Sequence, residues 1–152
     1  MLYKILIFLV INFVALGIGG LFTSKGVPSE WYTNLNKAPW TPPGWVFGFA
    51  WTTIMICFAF YMAYAWKTVA NRNFLIGLFI VQWILNVLWN PVFFKYNEVL
   101  MGLVIISSLT LLVGYFLLGY ISELKLKSLL VLPYFIWLLI ATSLNAYILL
   151  KN

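Results

Sequence analysis

Hydrophobic positions along the chain gather into five long runs, at 2–23, 44–66, 73–94, 99–120 and 128–150, parted by short polar stretches. At ~1.5 Å of rise per helical residue, each run is long enough to cross a hydrocarbon core of ~30 Å. The pattern predicts five transmembrane helices. The first run exceeds the apolar core of a cleaved leader, and "GIGGLFTSKG" is a poor cleavage site, so it is read as a helix. The expected fold is an all-α membrane protein, a five-transmembrane-helix bundle in a single domain over 1–152.

One connection breaks the pattern of short loops. "SKGVPSEWYTNLNKAPWTPPG" places Trp31, Tyr32, Trp40 and four prolines between the first and second helices. A long loop in a compact protein is usually functional or disordered, and the aromatic residues argue for order. Ser29 is placed to cap a short helix running to about Asn36, and Thr41 with Pro42 reads as the start of the second span. The loop is expected to be a partly helical cap over one end of the bundle, the alternative being an interfacial aromatic belt.

Polar residues inside the runs are the next signal. In "QWILNVLWNPVFF", Gln82, Asn86 and Asn90 recur every four residues and share one helix face, with Trp89 and Phe93 beside them. Amides facing hydrocarbon are costly, so this face should turn toward other helices or a cavity. Either role, interhelical glue or ligand contact, fits the spacing. The fifth run aligns Pro133, Trp137, Ala141 and Asn145 on one face, setting a large indole beside a small residue and an amide. Ser107, Thr110 and Gly114 share a face of the fourth, and Thr110/Gly114 and Ala15/Gly19 are small-residue pairs suited to close packing. Trp51 lies deeper in the second span than an interfacial belt requires, unlike Trp40 and Trp45.

Composition narrows the chemistry. Of 152 residues, 64% are hydrophobic and 8% charged, far from the ~25% charged of a soluble domain. There is no His, one Cys (Cys57), and the three acids are Glu30, Glu98 and Glu123, all outside the apolar runs. A Ser/His/Asp triad is excluded, no metal site is expected, and no intramembrane carboxylate exists for a proton relay. The nine Lys and Arg residues are scattered through loops and ends, which fits anionic lipid headgroups better than nucleic acid.

Three blocks, "WYTNLNKAPWTPPGWVFGFAW" (31–51), "QWILNVLWNPVFF" (82–94) and "PYFIWLLIATSLNAYI" (133–148), together resemble the translocator protein (TspO) family, also called peripheral-type benzodiazepine receptors or tryptophan-rich sensory proteins. The resemblance implies a bundle, often a homodimer, with a pocket under the first loop for porphyrins such as protoporphyrin IX, sterols and flat aromatic drugs. Carried over, it assigns the pocket to Tyr32 and Pro42 of the loop, Trp51 of the second helix, Asn86, Trp89 and Phe93 of the third, and Trp137, Ala141 and Leu144 of the fifth. Porphyrin is expected as ligand rather than as a required cofactor, and, with no His for an axial bond, to be held by stacking.

By the same resemblance Trp51 and Trp137 are candidates for light-dependent porphyrin chemistry. Three readings stay open: a porphyrin-binding receptor or sensor, a transporter of porphyrin or sterol, and a photochemical porphyrin-degrading enzyme. Where some relatives carry an acid early in the fourth helix this chain has Ile105, and the sterol pattern survives only loosely as Leu144, Tyr147 and Lys151. Lack of an animal-type basic tail after Asn152 points to a bacterial cell membrane.

Overall fold

A computed structural model describes residues 1–152. Seven helices follow in chain order: α1 (Leu2–Gly26), α2 (Glu30–Thr33), α3 (Gly44–Thr68), α4 (Arg72–Asn90), α5 (Val99–Gly119), α6 (Ile121–Leu124) and α7 (Leu132–Lys151). Five of them, α1, α3, α4, α5 and α7, are long and apolar enough to span a membrane. They close a ring in the order α1, α3, α7, α5, α4, each touching the next.

Helix ends follow local chemistry. Asn71 caps α4 by accepting from the Phe74 N–H at 3.1 Å. Ser29 caps α2, its Oγ accepting from the Tyr32 N–H at 3.3 Å. The helix so capped stops at Thr33, short of the expected Asn36. Thr41 does not start the second span: its hydroxyl donates to the Ala38 carbonyl at 2.6 Å, and α3 begins at Gly44 after Pro43. Two successive prolines explain the shift, since Pro43 forces the residue before it out of the helical region.

Pro91 ends α4 in a π turn, Pro91–Lys95, closed by Tyr96 N–H to the Pro91 carbonyl at 3.0 Å. Proline has no N–H for the regular ladder, and the wider turn keeps the chain helical while re-aiming Phe93 and Phe94. The fifth run, expected as helix from 128, is a 3₁₀ segment over Lys125–Val131 before α7 proper.

The two ends of the ring are filled differently. Toward the start of α1, Phe58 of α3 packs Tyr61, Phe79, Phe116 and Tyr134 around it at 5.3–6.0 Å between ring centroids. Two of these contacts are stacked and two edge-on, and together they fill the centre of the ring here. At this same end a Cβ on Gly114 would meet the Phe135 ring at 3.2 Å; at the other end close approach relies on Gly102, where a Cβ would meet Asn145 Oδ1 at 3.2 Å. That end is hollow, and the loop carrying α2 lies over it.

Candidate functional site

The hollow is a cavity of about 510 Å³ between the ring and the loop. Small-molecule sites typically enclose ~300–1,000 Å³. α3 contributes Phe47, Gly48, Trp51 and Met55, which recur at helical spacing on its inner face. α1 adds Ala15, Gly19 and Thr23 on the same logic; α7 adds Ala141, Leu144, Asn145 and Ile148. Phe93 and Phe94 come from the π turn, and the loop supplies Tyr32, Lys37, Thr41 and Pro42.

Eight of the nine residues assigned to a pocket from the sequence line this one cavity: Tyr32, Pro42, Trp51, Asn86, Trp89, Phe93, Ala141 and Leu144. Trp137 is the exception. Its indole stands behind Phe47, ring centroids 5.2 Å apart and nearly perpendicular, and is 6% exposed with its N–H bonded to nothing. The i+4 relation to Ala141 put it on the right helix face but one side chain too deep.

The amide stripe resolves into three separate roles. Gln82, 2% exposed, accepts from the Tyr134 hydroxyl at 2.9 Å and ties α4 to α7. Asn90 accepts from the Thr23 hydroxyl at 3.2 Å and donates to the Asn86 carbonyl at 3.1 Å, tying α4 to α1. Both are structural. The Asn86 side chain is half-buried, lines the cavity and is left free of partners inside the protein.

A second cluster is also spoken for. The Trp89 indole N–H donates to Asn145 Oδ1 at 3.0 Å, and Asn145 Nδ2–H₂ donates to the Val99 carbonyl at 3.0 Å. This joins three helices in the cavity wall and fixes the Trp89 ring, which stacks on Phe93 at 4.8 Å and 16°. The pair presents flat apolar surface to the cavity.

The lid is built on those rings. Trp31 meets Phe93 edge-on at 5.4 Å, and Tyr32 meets Phe94 at 5.5 Å. A Cβ on Gly26 would overlap the Phe94 ring, so only glycine lets the loop leave α1 this closely. At its far end the loop is latched to α7: the Asn36 N–H donates to Asn152 Oδ1 at 2.9 Å, Asn152 Nδ2–H₂ donates back to the Asn36 carbonyl at 3.2 Å, and the Trp40 indole donates to Ser143 Oγ at 3.1 Å. Trp45, in contrast, is 72% exposed and faces outward as a belt residue would.

Lys37 is the one charged residue in the cavity wall, and no acid lines it. Its ammonium sits 4.6 Å over the Tyr32 ring and donates to the Thr33 carbonyl at 3.5 Å. Burial raises the Tyr32 phenol above its ordinary value, so it stays a neutral hydroxyl.

Several wall residues were not singled out from the sequence. Phe47 lies four before Trp51 and Thr23 four after Gly19, and helical periodicity would have found both. The Asn12 amide, 1% exposed and donating to the Met55 carbonyl at 3.0 Å, is a buried α1–α3 tie with no partner spacing to betray it.

Comparison with known proteins agrees with this architecture. The TspO/MBR family model matches residues 7–150. The Tryptophan-rich protein TspO of Archaeoglobus fulgidus is 36% identical over 140 residues, 91% of either chain. The Tryptophan-rich sensory protein of Cereibacter sphaeroides is 35% identical over 121 residues, 78% of this chain and 74% of its own. The human Translocator protein is 29% identical over 132 residues, 84% of this chain and 78% of its own.

Proposed function

The chain belongs to the TspO/MBR family of multi-pass membrane proteins, and from that premise we propose that it is a membrane receptor for porphyrins, protoporphyrin IX foremost, and related flat hydrophobic ligands. The observation that carries the reading is the convergence of eight pocket residues from four parts of the chain on one lidded cavity. Trp89, stacked on Phe93, and Trp51 both line the cavity and offer planar apolar surface suited to a macrocycle. The free Asn86 amide orients a polar ring edge, and Lys37 is available to a carboxylate such as a propionate.

A receptor fits better than a coupled transporter, since the one ionisable cation in the wall belongs to the lid and the spans offer no coupling group at the cavity. As part of the same proposal, the receptor works as a homodimer in a bacterial cell membrane.

Titration of protoporphyrin IX, followed by quenching of tryptophan emission in nanodiscs, tests the proposal. One saturating site is expected for the unmodified chain. Ala141→Phe, which fills the cavity from α7, should abolish saturation while leaving the thermal transition in place. Saturable binding by Ala141→Phe equal to the parent's would sink it.

A further inference from the structure

A second, outward-facing groove of about 500 Å³ lies at the opposite end of the bundle from the lid, between α1 and α4. These two helices run parallel, both starting at the same membrane face. Ile7, Phe8 and Ile11 form one wall; Phe79, Ile80 and Trp83 form the other. The Trp83 indole N–H is already given to the Ile11 carbonyl at 3.0 Å, so the floor holds no free donor. From Lys4 to Ile11 the slot descends seven residues, about 10 Å at helical rise.

The rim at the membrane face is different in kind. Lys4 lines it, and so does Trp66 of α3. The Arg72 guanidinium lies 5.7 Å from the Trp66 ring centroid, held by its Nε–H to the Trp66 carbonyl at 2.9 Å, which leaves its terminal amino groups free. No acid lines the groove, and Glu123 is the single acid at this end of the molecule. An apolar slot with Lys4 at its rim and Arg72 held against the rim residue Trp66 is complementary to an amphiphile with an acyl chain and an anionic head.

We infer that this groove binds an anionic phospholipid, one acyl chain lying between α1 and α4 and the headgroup phosphate between Lys4 and Arg72. A second copy of the chain is the less suitable occupant. A two-fold axis along the membrane normal would bring the same depth of both copies together, and so face Lys4 and Arg72 with their own kind.

Native mass spectrometry of the full chain, released from micelles holding equimolar phosphatidylglycerol and phosphatidylcholine of identical acyl chains, tests this. Retention of phosphatidylglycerol over phosphatidylcholine by about tenfold is expected. The double variant Lys4→Gln/Arg72→Gln should fall to parity, Lys4→Arg/Arg72→Lys should keep the preference, and Lys125→Gln/Lys127→Gln, equal in charge change at the same membrane face, should keep it too. Parity in the unmodified chain overturns the inference, as does a preference that survives in the Lys4/Arg72 double Gln variant. Equal loss in the Lys125/Lys127 variant also overturns it, because the whole basic face would then be acting. So does a change in the oligomeric state of the Lys4/Arg72 double Gln variant with lipid retention unchanged, which would give the groove to a second copy.

Discussion

Replacing Asn86 by Leu should separate ligand recognition from bundle stability, because this amide faces the cavity and holds no other helix. Porphyrin affinity is expected to drop severalfold with the melting temperature unmoved. Asn90→Leu should instead lower stability, by about 0.6 kcal/mol or more, as the Thr23–Asn90 tie between α1 and α4 is lost and the Thr23 hydroxyl falls back on the Gly19 carbonyl of its own helix. Fluorescence titration and thermal melting on the same two variants check both halves. Spacing alone could not tell these residues apart. A four-residue step turns a helix by about 40° beyond a full circle, so Gln82, Asn86 and Asn90 fan from α7 across the cavity to α1 rather than forming a single line. The two candidate photochemical tryptophans divide in a similar way. Trp51 is in the wall, whereas Trp137 is screened by Phe47. Under illumination of the porphyrin complex, Trp51→Phe should slow bleaching of the ligand more than Trp137→Phe does. The opposite order, read from loss of the porphyrin absorption band, would reject direct contact as the determinant.

At the level of elements, the lid is only as well placed as the π turn beneath it. Gly26→Ala sets a methyl group into the Phe94 ring, so either the loop lifts or the turn shifts, and both disturb the Trp31 and Tyr32 contacts that close the cavity. Faster porphyrin dissociation by stopped flow is expected, at least severalfold. Gly17→Ala is the control: open space surrounds its Cβ, and alanine is the better helix former by ~1 kcal/mol, so dissociation should be unchanged and stability equal or higher. The elements themselves were readable from hydrophobic run length, since nothing but a helix of that length satisfies its own backbone in lipid. Their boundaries were less so. The start of α3 was hidden because Thr41 resembles a cap in every local respect, and only the second proline moves the start to Gly44. The 3₁₀ entrance to α7 was hidden because "KSLLV" is as apolar as the helix it precedes.

An odd number of spans puts the two ends of the chain on opposite faces of the membrane, and the Asn36–Asn152 latch ties the lid to the face that carries the end of α7. Lid sidedness is therefore decided by whichever end of the bundle stays in the cytoplasm. The face at the start of α1 carries Lys4, Lys67, Arg72, Lys125 and Lys127 with one acid, Glu123; the lid face carries Lys25, Lys37, Lys95 and Lys151 with Glu30 and Glu98. Cation count alone separates the faces by one residue, a small bias, yet its direction favours a cytoplasmic start of α1 and a lid on the outside. The groove rim of Lys4 and Arg72 adds to that bias, because anionic lipid is concentrated in the cytoplasmic leaflet in many membranes and would hold this end there. A green fluorescent protein joined after Asn152 should then stay dark in bacteria, while alkaline phosphatase at the same junction should be active. A fluorescent fusion would turn the molecule over, bring the cavity mouth to the cytoplasm, and require its ligand to arrive from inside the cell.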